Sequence, residues 1–510
     1  MKSVLFLSLA YGLILTADLG GHALRSLTPC PPLHDRRGGT IHNRFADRTP
    51  AFSAIAFACV PPRPSGREGQ GVRLRSADAA VASNPTEPVL TPPTAAAVLA
   101  EFDRMSGLPL WPGFDPKTVP LAIYDGERTV LVRHPSPPPE FKRQGEVWVF
   151  PGQHSEMRAN TSTDLGGATT ATLLLDPGKG RDARRWAAVL IHEAFHVFQR
   201  KKHPKWAGNE AELFTYPLED AGRLASRRLE TAALRRALTT QDAKEAACWA
   251  AKALGLRRQR YGSLPAGSEA YEQGTELNEG LATFIESLAL GETRGPDLPA
   301  GEFPAGDVRS RSYAIGYADA TLLDRFDPGW RKALEEGRGA SLDELLTKAL
   351  NGKPTSACAI SAEETSAAAS QAKEDVARLV QEKQQLRDAF LGRPGWKIEI
   401  LSGAQPLWPQ GFDPLNVVAL GKGEVLHRRW IKLGNGGDTI EVLDRESLSE
   451  AAGEHPLFNG LRKLTVTGLP GAPKVSREGD VLVIEGGGVT AKMKGAVAET
   501  AGSVLKVKMP

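Results

Sequence analysis

The chain has 510 residues and a formal net charge of +3, from 63 Lys and Arg against 60 Asp and Glu. That length predicts about three domains, and 41% hydrophobic with 24% charged residues excludes a fibrous or wholly disordered chain. Four cysteines exclude a disulfide-dense scaffold, and the near-balanced charge gives no reason to expect a nucleic-acid partner.

The N-terminus reads MKSVLFLSLAYGLILTA. Lys2 followed by an apolar run from Val4 to Leu15 has the pattern of an export signal, expected over 1–23. The run is shorter than the roughly 20 residues of a membrane span. The expectation is a secreted or periplasmic protein with no other stable span. A retained signal anchor, or a lipid anchor at Cys59, is the alternative. Residues 24–95 are rich in Pro, Arg, Gly, Ser and Ala without a sustained period, and read as a disordered linker.

Ala95 to Arg104 has the period of a short helix. A ten-residue phrase follows, Gly-Leu-Pro-Leu-Trp-Pro-Gly-Phe-Asp-Pro from Gly107 to Pro116. It returns as Pro-Leu-Trp-Pro and Gly-Phe-Asp-Pro between Gly403 and Pro414. Two copies do not make a solenoid, which needs three or more. The expectation is a buried Trp and Phe docking a turn under a sheet, rather than an aromatic ligand loop.

Strands are expected at Leu121–Asp125, Thr129–His134, Glu146–Phe150 and Thr170–Asp176. From Asp182 to about Leu350 the pattern is mostly helical. Cys248, within AKEAACWAAKAL, reads as a small core residue. Export would permit a disulfide, but the cysteine spacing selects no partners. Residues 356–393 read as a helical linker, opened by a Ser-x-x-Glu capping box at Ser361. Residues 394–510 read as a separate β-rich domain, with strands at Lys397–Leu401, Thr439–Leu443, Lys463–Val466, Val481–Ile484 and Val504–Lys508. The Gly486–Gly488 run reads as a hairpin turn, because no helix follows it.

The chemistry is concentrated in His192-Glu193-Ala-Phe-His196, set in an apolar helical pattern. Residues four apart lie one above the other on a helix. His192 and His196 can therefore face one metal, and Glu193 can reach a water on it. A second helical pattern, Glu276-Leu-Asn-Glu279-Gly-Leu-Ala-Thr-Phe-Ile-Glu286, carries further carboxylates.

His-Glu-x-x-His followed by Asn-Glu-Gly-Leu-Ala resembles the gluzincin zinc metallopeptidases, and in particular the Asn-Glu-Gly-Phe-Ala segment of M1-type aminopeptidases. The resemblance implies Zn2+ held by His192, His196 and Glu279, with Glu193 as general base. It implies an α+β chain with a zincin-like domain over 96–355, a mixed sheet followed by metal helices. The two motifs stand unusually far apart, with an Arg-rich helical insert (205–265) between them. The implied activity is hydrolysis of peptide bonds in a peptide or protein substrate, by a zinc-bound water that Glu193 activates. Tyr313 or Tyr317 would supply the oxyanion donor, and neither is favoured. Glu286 is a weaker candidate to orient a ligand imidazole, with Glu276 similar, and Thr169–Leu175 is the candidate edge strand for substrate. His134, His154 and His203 read as structural or surface histidines. A non-catalytic zincin-fold module and a zinc hydrolase with a non-peptide substrate remain the alternatives.

Overall fold

The computed structural model describes residues 93–510, apart from 158, 266, 338–340, 354–355 and 414–415. The expected signal, nearly all of the expected linker, Cys30 and Cys59 lie outside the described residues. The chain is mixed α+β with a β-rich C-terminal region, and no described helix is long and apolar enough to cross a membrane.

Helix α1 (Ala95–Met105) starts where the Thr94 hydroxyl accepts a hydrogen bond from Ala97 N, and it buries Val98, Phe102 and Met105. Six strands follow: β1 (Leu121–Tyr124), β2 (Arg128–Val132), β3 (Lys142–Gln144), β4 (Val147–Pro151), β5 (Thr161–Leu165) and β6 (Ala168–Leu174). They form one sheet in the order β3-β4-β2-β1-β6-β5. β1 and β6 are parallel, and the other pairs are antiparallel.

The four expected strands correspond to β1, β2, β4 and β6. β3 (KRQ) and β5 (TSTDL) were not expected, since neither alternates apolar with polar residues. The turn at Gly166 and Gly167, both at positive φ, folds β5 back onto β6. This corrects one expectation: β6 lies between β1 and β5, so Thr169–Leu175 is not an edge. β5 is the edge on that side.

Helix α2 (Ala183–Lys202) follows β6. Asp182 caps its first turn through Arg185 N, and Arg200, Lys201 and Lys202 suit the negative end of its dipole. Trp186, Leu190, Ile191, Phe195 and Phe198 bury its apolar face. α3 (Ala221–Thr239) and α4 (Ala243–Tyr261) form a hairpin. α5 (Ser268–Thr275) passes through a single π-helical bulge, Glu276–Gly280, into α6 (Leu281–Leu290). α7 (Val308–Phe326), α8 (Trp330–Glu335) and α9 (Leu342–Leu350) complete the helical body. α6 packs on α2, and α7 packs on the bulge.

The insert proves to be an integral part of this body. Arg257 of α4 reaches Glu276 in the bulge and Asp319 in α7. Cys248 on α4 is bonded to Cys358, 110 residues away, so it is a crosslink rather than a packing cysteine. α10 (Ala362–Leu391) has the expected capping box at Ser361 and Glu364. It lies along α3 through Arg228–Asp375 and Arg236–Glu364, and Lys383 pairs with Glu219 just before α3, so it is braced along its length.

Among the described residues, the C-terminal region has thirteen strands: β7 (Trp396–Leu401), β8 (Trp408–Phe412), β9 (Val417–Gly421), β10 (Glu424–His427), β11 (Trp430–Asn435), β12 (Asp438–Leu443), β13 (Ser447–Ala451), β14 (Leu461–Leu469), β15 (Lys474–Glu478), β16 (Val481–Gly486), β17 (Val489–Lys494), β18 (Val497–Ala501) and β19 (Val504–Lys508). One sheet runs β18-β19-β7-β14-β13-β10-β9 and the other β15-β16-β17-β12-β11-β8. Ile398, Ile400, Leu464 and Val466 from the first meet Leu433, Ile440, Ile484 and Met493 from the second in one apolar core. The expected glycine hairpin joins β16 to β17, with Gly486, Gly487 and Gly488 all at positive φ.

The two copies of the repeated phrase do not share a structure. In the first, Trp111 and Phe114 are buried edge-on against Phe195 of α2, and Trp111 donates to Glu335. They dock under a helix, not a sheet. The second copy is strand β8, with Phe412 buried but Trp408 40% exposed.

Candidate metal centre

α2 presents His192 and His196 on one face, with ring centroids 4.6 Å apart. Glu279 is carried opposite them by the π bulge, a feature that recurs at functional sites because its extra residue re-aims a side chain. The bulge is seated on α7 by two glycines. A Cβ on Gly280 would lie 2.6 Å from Gly316 Cα, and one on Gly316 would lie 2.6 Å from the Glu276 carbonyl oxygen. Only glycine at both positions allows this backbone contact.

The result is a triad. Glu279 Oε2 lies 3.8 Å from His192 Nε2 and 3.4 Å from His196 Nε2. The three ligand atoms fall within 4.8 Å of one another, close enough to hold one metal ion. His196 and Glu279 are buried, while the His192 side chain is 12% exposed. The centre therefore opens on the His192 side.

Each imidazole is anchored through its other nitrogen. His192 Nδ1 donates to Glu286 Oε2 at 3.1 Å. His196 Nδ1 donates to Gln199 Oε1 at 2.7 Å. The Gln199 amide nitrogen donates to the carbonyls of Leu277 and Asn278, both at 3.0 Å, which fixes its oxygen toward His196. With Nδ1 engaged in this way, each ring turns its Nε2 toward Glu279. Gln199 also ties α2 to the π bulge. Its signal was local: it follows His196 by one helical turn.

The electrostatics fit a site arranged around a positive charge. Burial favours a neutral His192, but the hydrogen bonds of Glu279 and Glu286 outweigh it and raise the imidazole to about 10. Burial lowers His196 to about 4. Burial also favours a neutral Glu279, yet His196, His192 and Arg309 hold it well below the usual carboxylate range. Glu193 is 5% exposed, with Oε2 buried and without a hydrogen-bond partner. Burial raises it to about 8, helped by the negative Glu279 and Glu286 and opposed by His192.

The two tyrosines separate. Tyr313 accepts a hydrogen bond from Arg309 Nη1 at 2.7 Å, and Arg309 also reaches Glu279. Tyr317 is 7% exposed and lies in the apolar core near Phe284, where burial raises its pKa. Glu276 faces away from the triad and pairs with Arg257. His134 approaches the Leu165 carbonyl and His154 pairs with Glu140. His203 is half-buried, stacked on Trp206 and held by Glu335, rather than a surface residue. Arg309 and Glu210 gave no sequence signal.

No protein-family model, curated protein or solved structure matches the chain.

Proposed function

We propose that this chain is a zinc-dependent peptidase. The observation that carries the reading is the convergence of two anchored imidazoles and one carboxylate on a single point, with an unpartnered buried Glu193 beside them. A tetrahedral zinc with bonds of about 2.0–2.1 Å sets its ligand atoms about 3.3 Å apart. The spacings of 3.4 and 3.8 Å are close to that. The His-Glu-x-x-His and Asn-Glu-Gly-Leu-Ala motifs resemble gluzincins, and the order of sheet, metal helix and ligand-bearing helix suits a zincin-like domain.

Zinc, when bound, supplies a Lewis acid that acidifies a water and polarises a carbonyl. The chain's residues supply the rest. His192, His196 and Glu279 hold the ion, and Glu286 and Gln199 orient the two imidazoles. Glu193 takes a proton from the attacking water and returns it to the leaving amine. Its raised pKa suits a group that must both accept and donate near neutral pH. Tyr313 is the better placed of the two tyrosines to donate to the oxyanion, since its oxygen already accepts from Arg309. A peptide or protein substrate outside the cytoplasm suits the export-like N-terminus and the Cys248–Cys358 crosslink.

Metal analysis and a peptide-library assay on the purified full chain test this reading. One zinc per chain is expected, lost in His196→Ala. Glu193→Gln keeps zinc and lowers cleavage by about 100-fold or more. Protein that emerges zinc-free from zinc-replete expression sinks the proposal, as does a zinc-loaded chain that cuts no peptide.

A further inference from the structure

The two oxygens of Glu279 have different surroundings. Oε2 faces both imidazole Nε2 atoms. Oε1 accepts a hydrogen bond from Arg309 Nη2 at 3.1 Å. Arg309 lies in the first turn of α7, whose start is fixed by Asp307 through Ser310 N. Its Nε donates to Glu210 Oε1 at 3.0 Å, and its Nη1 donates to Tyr313. One planar guanidinium thus spans two carboxylates and a phenol, a geometry that a lysine ammonium cannot copy.

The far end of this clamp is rigid. Glu210 is 5% exposed and sits in the 3-10 turn Glu210–Phe214, capped by Asn209. The chain just before it crosses α5 backbone to backbone. A Cβ on Gly208 would lie 2.4 Å from Thr275 Oγ1, and one on Gly274 would lie 2.6 Å from the Ala207 carbonyl oxygen. Arg309 is therefore stretched between the ligand carboxylate and a fixed turn of the long segment between the motifs.

We propose that Arg309, anchored by Glu210, is a positioning residue that restricts Glu279 to one-oxygen ligation of the metal. The proposal rests on the metal-centre reading above. A carboxylate can give a metal one oxygen or two. With Oε1 bound to Arg309, only Oε2 turns to the ion, and a position is kept open for water or substrate. The guanidinium also draws charge from the carboxylate, which leaves the ion a stronger Lewis acid. Without the clamp, Oε1 can swing in and fill the open position.

Cobalt(II) is the probe, since it adopts zinc's geometry and absorbs visible light far more strongly when four-coordinate than when five- or six-coordinate. The full-length wild-type chain, stripped and reloaded with Co2+, is compared with Arg309→Met, Arg309→Lys and Glu210→Gln. Arg309→Met is expected to lose visible absorbance per bound ion and, with the neighbouring cation gone and a second oxygen available, to bind Co2+ up to about tenfold more tightly. Arg309→Lys regains charge but not the fork, so its affinity is intermediate and its spectrum stays altered. Glu210→Gln shifts both readouts in the same direction by less. A folded Arg309→Met with wild-type spectrum and affinity overturns the proposal. If that variant does not fold, wild-type spectra in both Arg309→Lys and Glu210→Gln overturn it. A wild-type chain that binds no Co2+ overturns the metal-centre reading itself, and that outcome is distinct from the other two.

Discussion

The helical body and the C-terminal sheets solve the problem of an interior in opposite ways. Between α3, α4, α5 and α7 the interior is ionic. Arg257 bonds Glu230, Glu276 and Asp319 at 2.9, 3.0 and 3.1 Å, and Arg260 and Arg311 share Glu230 and Glu272. Glu302 reaches in from the α6–α7 loop to Arg227 and Arg311, on a backbone held at φ 98°. Between the two C-terminal sheets the interior is apolar, made of every second residue along each strand. The difference follows from purpose. Buried ion pairs add little net stability, because desolvation offsets their attraction. They do fix geometry, and this network holds Glu276, three residues before Glu279 of the candidate triad, from the side away from His192 and His196.

The largest effect should therefore come from Arg257→Met. It strands Glu276 and Asp319 without their shared cation, while Glu230 keeps Arg260 and Arg311, and breaking such a buried network costs about 3–5 kcal/mol. Leu433→Ala in the sheet core, at 0% exposure, should cost about 2–5 kcal/mol by leaving a cavity. Denaturant unfolding with metal titration separates them: Arg257→Met also weakens metal binding, and Leu433→Ala leaves it unchanged. Equal loss of metal in both variants would break the contrast between the interiors.

Gly316→Ala asks a smaller question of the same region. The new methyl would lie 2.6 Å from the Glu276 carbonyl oxygen and 2.9 Å from Gly280 Cα. Overpacking of this kind costs about 1–3 kcal/mol. The π bulge must shift, so metal affinity should fall with stability. Wild-type affinity in a folded Gly316→Ala would show that the bulge is not seated by this contact.

The same contrast explains what the sequence revealed. Features set within one turn of chain were legible. His192 and His196 are spaced by one helical turn, Ser361 and Glu364 make a local capping box, and Gly486–Gly488 marks a hairpin without tertiary help. Glu279 was legible only through a resemblance of its neighbouring residues. Arg309 was not, because its link to Glu279 depends on how α7 crosses the bulge. The buried arginines of α3 and α4 read only as part of an Arg-rich helical insert, since composition does not reveal which face turns inward. The pairing of Cys248 with Cys358 depends equally on tertiary placement.

The sheet interior holds one ionisable exception, and pH should expose it. His427 is fully buried with Nε2 against the Ser449 hydroxyl, and burial lowers its pKa to about 3. In the unfolded chain its pKa is about 6.5. Between these values the unfolded state binds a proton that the folded state excludes. Stability from this residue is thus complete above about pH 6.5 and is lost progressively toward about pH 3, each pH unit being worth about 1.4 kcal/mol. Replacing His427 with Gln should flatten the fall in denaturation midpoint between pH 6.5 and 4. An unchanged slope would assign the acid sensitivity to the helical body instead.

The smallest expected effect is at Trp408. Its counterpart in the repeated phrase, Trp111, is 4% exposed and packed against Phe195 and Trp330, so removing it belongs with the core truncations. Trp408 stands on edge strand β8, 40% exposed, opposite Gly434. Glycine offers it no cross-strand side chain to pack on. Trp408→Ala should therefore shift stability by no more than about 0.5 kcal/mol, read by denaturant unfolding beside Trp111→Ala. Comparable losses in the two variants would mean that the repeated phrase does the same structural job twice. A near-neutral Trp408→Ala would mean that one phrase serves two folds, with burial decided by the neighbouring elements: helix α2 in one copy, a strand edge in the other.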